Sequence, residues 1–215
     1  MKQEIAEKVA KILLSIKAIT LNPNAPYTYA SGIKSPIYVD NRKLISYPKE
    51  RKEIIGYLAD AIKEKHIPLE VVAGTSTAGI PHAAWVAEAL NLPMIYVRSK
   101  PKDHGTESLV EGVLEKGQEV VVIEDHISTA GSSIKTVQAI RNESAKASHI
   151  FAITTYSMQK ADEELEKNAI TLTTLSNFEA IVQVAIKEGY IKPQEKDMIL
   201  TWSKDPSGWA KSQGL

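Results

Sequence analysis

Apolar positions along the chain change period several times, and each change marks an element. Ile5, Val9, Ile12, Leu13 and Ile16 recur three or four residues apart, so residues 2–18 read as an amphipathic helix. The segment "LNPNAPYTYASGIKSPIYVDNR" (21–42) interrupts that pattern with prolines and a glycine. Its Tyr, Thr, Ile and Val content points to short strands. Pro48 stands where a helix begins, and Ile54, Ile55, Leu58 and Ile62 give that helix one apolar face. From there the chain alternates. "VVAG" (71–74), "PMIYVR" (93–98), "EVVVIE" (119–124) and "HIFAITTY" (149–156) are unbroken apolar runs of strand length. Helical stretches lie at 80–91 and about 131–143. A further helix, a short "ITLTT" strand and a final pair of helices follow. Continuous rather than alternating apolar runs, separated by helices, predict an α/β fold with a mostly parallel sheet covered on both faces. Residues 99–112 show no period and read as a long polar loop.

Composition narrows the class. The 215 residues suffice for one α/β domain, and no repeat or linker divides them. Lys plus Arg equals Asp plus Glu at 26 each, which argues against nucleic-acid or membrane-surface binding. There is no cysteine, so disulfides, thiolate catalysis and cysteine zinc sites are excluded. The N-terminus is charged throughout, and no stretch approaches the roughly 20 apolar residues of a membrane span, so a cytoplasmic protein is expected.

The candidate chemistry begins at "VVVIEDHISTAGSS" (120–133), where an apolar strand runs into Glu124 and Asp125, then a Ser/Thr/Gly loop, then a helix. In an open parallel sheet, ligands bind beyond the carboxyl ends of the strands. Thr129, Ser132 and Ser133 offer hydroxyls, Gly131 permits close backbone approach, and the helix start supplies free N–H groups and partial positive charge, a site suited to a phosphate monoester. The loop has no Gly-Lys-Ser/Thr and is not a Walker A motif. Two acids beside a phosphate site need another partner, and vicinal sugar hydroxyls, each able to donate, are suitable. A solvated acidic turn is the plain alternative. The combination resembles the phosphoribosyl pyrophosphate signature of the type I phosphoribosyltransferases. That resemblance implies that Glu124 and Asp125 hold ribose hydroxyls while His126, Ile127, Ser128, Thr129, Ala130, Gly131 and Ser132 form the 5-phosphate loop.

In "VRSKPKDHG" (97–105), Arg98, Lys100, Lys102 and His104 bring four potential cations together. Such groups meet the charge that develops on a departing pyrophosphate, although a solvated basic loop is the usual fate of such a run. The segment resembles the catalytic loop of the orotate-specific members of that family. By resemblance, Arg98, Lys102 and His104 contact pyrophosphate, Lys102 is the principal catalytic cation with His104 and Asp125 beside it, and the loop closes over a neighbouring subunit's site in a homodimer. By the same resemblance "GTSTAGIPHAAW" (74–85) corresponds to the pyrophosphate loop, with Thr75, Ser76 and Thr77 as small donors and Gly79 permitting an unusual backbone angle.

"YTYASGIKSPIYVDNR" (27–42) resembles the segment that marks orotate-specific enzymes. A planar anionic pyrimidine needs an aromatic or apolar wall and cationic donors, for which Tyr38 and Lys34 are candidates. Ser128 is the family's further position for an orotate contact. His82 reads as a packed or capping residue, His66 and His149 as structural, and Trp202 and Trp209 as packing residues.

The resemblance covers about residues 5–200. It implies one domain over 1–215, with an N-terminal helix and hood (1–45), an α/β core (46–190) and C-terminal helices (191–215). It also implies a reaction of orotate with phosphoribosyl pyrophosphate, with Mg2+ carried by the substrate rather than bound directly by the protein. Departures from the pattern are Glu124 as the first acid, Ala30 and Ala78 where some relatives carry lysine, no arginine after "ITTY", and few glycines in the loop. Two other readings use the same motifs: transfer to another base such as a purine, and a non-catalytic sensor of phosphoribosyl pyrophosphate.

Overall fold

The structure is a computed structural model and describes residues 2–100 and 108–214. At its centre is a six-stranded sheet in the order β10-β9-β8-β5-β6-β7. The strands are β5 (Val71–Thr75), β6 (Met94–Val97), β7 (Val110–Glu111), β8 (Glu119–Ile127), β9 (Lys146–Thr155) and β10 (Thr171–Asn177). The first five neighbours in that order pair in parallel, and β7 runs antiparallel along the β6 edge. The fold class is the expected α/β arrangement.

The apolar runs are continuous because both faces of the sheet are covered. Val121, Ile123 and Phe151 pack with Leu13, Leu58, Val86 and Ile181 from helices α1 (Gln3–Ser15), α2 (Pro48–Glu64), α3 (Gly79–Leu90) and α6 (Phe178–Lys187). Val120, Val122 and Ile150 turn the other way, against Val137, Ile140 and Leu165 from α4 (Gly131–Asn142) and α5 (Gln159–Lys167). Adjacent valines therefore serve opposite layers, as the period of two in a strand requires. Local chemistry sets several ends. Pro48 occupies the first turn of α2, where its missing N–H costs nothing. The Asn177 side chain accepts the Ala180 N–H at 2.9 Å and caps α6.

The N-terminal segment folds over the carboxyl edge of the sheet. Strand β1 (Ile19–Leu21) pairs antiparallel with β4 (Ile37–Val39), and β2 (Tyr27–Thr28) with β3 (Lys34–Ser35). A 3-10 turn, Asn41–Ser46, leads from this hood into α2. The hood is fastened from the far end of the chain. Trp202, just after α7 (Lys196–Thr201), donates its indole N–H to the Lys34 carbonyl at 2.9 Å. Trp209, which begins α8 (Trp209–Ser212), donates to the Met198 carbonyl at 2.8 Å. Both indoles are buried, as expected of packing residues, and both also make a specific bond.

Three expectations need correction. The polar stretch 99–112 contains β7, whose two residues are too few for a period to show. The strand expected at 119–124 continues through the acids to Ile127, because β9 extends beside it as far as Thr155. After β10 the chain forms three helices rather than a pair, two of them very short.

Candidate functional site

The sheet has one topological switch point. From β8 the chain moves outward to β9, and from β5 it moves outward the other way to β6, which leaves a crevice between the carboxyl ends of β5 and β8. The β5–β8 ladder stops at Gly74 and Ile123, so Glu124–Ile127 projects beyond it. Gly79 opens α3 against this projection. A methyl group on Gly79 would stand 2.6 Å from the Ile123 carbonyl oxygen and 3.3 Å from Glu124 Oε1. The glycine is therefore required for close approach. Its φ is not positive, so the freedom of angle that glycine permits is not what the position uses.

The two acids enter different environments. Glu124 is 5% exposed. The Ser133 hydroxyl donates to Glu124 Oε2 at 3.0 Å, and the Asp125 N–H donates to Glu124 Oε1 at 3.2 Å. Burial first, then the adjacent Asp125 carboxylate, hold Glu124 well above the usual carboxylate range. Asp125 is partly exposed. Burial raises its pKa too, opposed by a hydrogen bond with Glu124, by backbone N–H groups including that of His126, and by the charge of Arg42. The expectation that both acids face a sugar is thus divided. Glu124 sits behind, bonded to the start of α4, and Asp125 stands at the crevice.

The turn Ser128–Ser132 follows at once. Ser128 is half-buried, with its hydroxyl 3.8 Å from the Met158 sulfur, while Thr129, Gly131 and Ser132 are exposed. Ala130 is buried and takes a left-handed φ of 62°, unusual for alanine, which turns the chain into α4. A methyl group on Gly131 would meet no protein atom within 4 Å, so the turn is open to a ligand and the first N–H groups of α4 are available to an anion. The His126 side chain turns away from the loop that the sequence places it in. Its Nδ1 lies 2.9 Å from Thr154 Oγ1 and its ring packs edge-on to Tyr156 at 4.1 Å. Its imidazole is therefore committed to the interior, and burial lowers its pKa to about 3.

Across the crevice, Thr75 is buried with no partner for its hydroxyl, Ser76 donates to the Val97 carbonyl, and Thr77 is exposed. The Ser76–Thr77 peptide is cis. A cavity of about 410 Å³ is walled by Thr75 and Ser76 of this loop, by Arg98 at the base of the basic loop, and by Ser132 and Lys135 on α4. Arg98 donates to Glu111 on β7 at 3.3 Å and to the Lys100 carbonyl at 3.2 Å, so the short edge strand holds the start of the basic loop. Lys102 and His104 lie outside the described residues.

Over the crevice, Tyr38 is 40% exposed, and its ring lies 5.6 Å from that of Tyr27 and 6.3 Å from that of Tyr29. It is a surface aromatic rather than a core residue. Lys34 is exposed, with its backbone held by Trp202. His82, read from sequence as packed, is fully buried beside Trp85, and burial lowers its pKa to about 4. Asn41 escaped the sequence reading. Its amide donates to the Asp125 carbonyl at 2.7 Å and to Thr154 Oγ1 at 2.8 Å. A buried asparagine in a turn carries no local signal of a partner 84 positions away.

Among the described residues, no group of three or more His, Cys, Asp or Glu could hold a metal ion, and no helix is long and apolar enough to cross a membrane. Comparison with known proteins agrees with the geometry. A family profile described as "Phosphoribosyl transferase domain" matches residues 43–188. An orotate phosphoribosyltransferase of Listeria monocytogenes serotype 4b (strain F2365) is 49% identical over 207 residues, covering 96% of this chain and 99% of that protein. One from Coxiella burnetii (strain RSA 493 / Nine Mile phase I) is 46% identical, covering 95% and 98%. The crystal structure of an orotate phosphoribosyltransferase from Aeropyrum pernix superposes with a TM-score of 0.73 at 27% identity, over 85% of this chain and 99% of that one. A Leishmania donovani UMP synthase superposes at 0.78 over 92% of this chain and 42% of its own, and at 23% identity it speaks for the fold alone. With a parallel-sheet switch point, an acid edge, an open turn at a helix start and near full-length relatives all in agreement, the chain belongs to the orotate phosphoribosyltransferase family of type I phosphoribosyltransferases.

Proposed function

We propose that this enzyme transfers the 5-phosphoribosyl group from phosphoribosyl pyrophosphate to a ring nitrogen of orotate, giving orotidine 5-monophosphate and pyrophosphate in the route to UMP. The supporting observation is the order along one short path: Asp125 at the crevice, an open turn Ser128–Ser132, and the N-terminus of α4. This path suits sugar hydroxyls at one end and a phosphate monoester at the other. Asp125 accepts hydrogen bonds from the ribose hydroxyls, and Glu124, bonded to Ser133, sits behind it. Backbone N–H groups of Ile127 to Ser132, with the Thr129 and Ser132 hydroxyls, hold the 5-phosphate.

The leaving pyrophosphate faces Thr75, Ser76 and Thr77, and Arg98, Lys102 and His104 meet its growing charge. Tyr38 walls the pyrimidine, with Lys34 and Ser128 as polar contacts. No covalent intermediate is needed: the nucleophile belongs to the base, so the protein positions both substrates and excludes water from an oxocarbenium-like sugar. Mg2+ arrives on the diphosphate rather than in a site of the protein's own, as P-O oxygens of a substrate diphosphate readily carry it. When bound, that ion offsets diphosphate charge. The enzyme acts as a cytoplasmic homodimer, each basic loop serving the neighbouring subunit. Spectrophotometric loss of orotate in the presence of phosphoribosyl pyrophosphate and Mg2+ tests the activity; absence of turnover beside an active control enzyme rejects it.

A further inference from the structure

We infer that Asn41 is a positioning residue for Asp125, tying the hood that receives the base to the acid that receives the sugar; the inference rests on Asp125 meeting the ribose hydroxyls. Asn41 begins the turn after β4 and has no solvent exposure. Its amide has two protons, and both are used. One goes to the Asp125 carbonyl at 2.7 Å and the other to Thr154 Oγ1 at 2.8 Å. The same Thr154 oxygen lies 2.9 Å from His126 Nδ1, so one hydroxyl joins the amide to the imidazole.

The chain of contacts then returns to the hood. The His126 ring packs on Tyr156 at 4.1 Å, the Tyr156 hydroxyl lies 2.8 Å from that of Tyr29, and Tyr29 donates to the Ile37 carbonyl at 2.8 Å. Ile37 belongs to β4, four residues before Asn41. The loop of contacts is therefore closed: hood, tyrosine pair, imidazole, acid strand, Asn41, hood.

The amide is only partly satisfied here. Asn41 Oδ1 and His126 Nε2 are both buried without a partner, and each loses hydration with nothing in return. An apolar side chain of similar shape would remove the Oδ1 cost but leave the Asp125 carbonyl and the Thr154 hydroxyl without this donor. What only an amide supplies is the double donation that fixes the backbone carbonyl at the acid. A reactive group displaced by about 1 Å can lose about a hundredfold in rate.

The test is calorimetric binding of orotidine 5-monophosphate and of its 2′,3′-dideoxy analogue to wild type, Asn41→Ala, Asp125→Asn and the double variant. Asn41→Ser serves where Asn41→Ala does not fold, with melting temperature as the check. Loss of one charge-linked hydrogen-bond geometry corresponds to about tenfold in affinity. The expected result is about tenfold weaker binding of the nucleotide to the Asn41 variant, less than twofold for the dideoxy analogue, and a double variant that binds no more weakly than Asp125→Asn alone. Equal weakening of both ligands, full additivity with Asp125→Asn, or unchanged binding overturns the inference. If Asp125→Asn alone leaves nucleotide binding unchanged, the sugar-acid reading itself fails, an outcome separate from any Asn41 result.

Discussion

Replacing His82 with leucine should make the protein more resistant to acid by a calculable amount. His82 is fully buried in α3, and both ring nitrogens lack a hydrogen-bond partner. Burial first, and then the charge of Arg51, lower its pKa to about 4. In the unfolded chain the same group titrates near 6.5. Between these values the unfolded chain binds more protons than the folded one, so stability falls as pH drops through that window and stops falling below it. Each pH unit inside the window is worth about 1.36 kcal/mol, and between pH 7 and pH 5 the linkage integral gives a loss of about 2 kcal/mol. That figure barely depends on whether the folded value is 4 or somewhat lower, because pH 5 lies above either. Leucine neither titrates nor leaves a nitrogen unpaired, so His82→Leu should match wild type at pH 7 to within about 1 kcal/mol. At pH 5 it should exceed wild type by about 2 kcal/mol more than it does at pH 7. Urea unfolding at both pH values, at one ionic strength and one protein concentration, measures this. Other titrating groups, including His126 and Glu124, are common to both proteins and cancel in the difference. Equal losses for the two proteins between pH 7 and 5 would refute the reasoning.

Four further outcomes are expected. Asp125→Asn should lower kcat/KM for phosphoribosyl pyrophosphate by roughly 10- to 150-fold, the range for hydrogen bonds to a charged group, and Glu124→Gln by less, because Glu124 already sits above the ordinary carboxylate range; steady-state kinetics compares them. Lys102→Ala should reduce kcat far more than the affinity for phosphoribosyl pyrophosphate, and comparable losses in both would contradict its catalytic role. Trp202→Phe keeps the ring but removes the N–H bonded to Lys34, so KM for orotate should rise by about fivefold, from a bond worth about 1 kcal/mol, while KM for phosphoribosyl pyrophosphate stays put. Gly79→Ala would press a methyl group to 2.6 Å from the Ile123 carbonyl, and thermal unfolding should show a loss of about 1–3 kcal/mol.

The parts of this molecule visible in its sequence are those whose signal is local. Continuous apolar runs such as "VVVI" announce a strand buried on both faces, and "EDHISTAGSS" announces an acid edge and an anion turn, because strand, turn and helix start follow one another along the chain. The packing roles of His82, Trp202 and Trp209 were likewise legible from residue type and setting. Tertiary structure decided what depends on distant segments meeting. β8 passes the acids because β9 runs beside it to Thr155. Glu124 becomes the buried partner of Ser133 while Asp125 stays at the crevice, since neighbouring strand residues enter different surroundings. His126 turns inward to Thr154 and Tyr156. Asn41 and Trp202 act across 84 and 168 positions, and desolvation, which sets every shifted pKa at the site, exists only once those segments have packed. Motif order along the chain was enough to indicate the ligand. How deeply each candidate side chain is buried, and which way burial moves its pKa, was decided by long-range contacts, which have no counterpart in a local pattern.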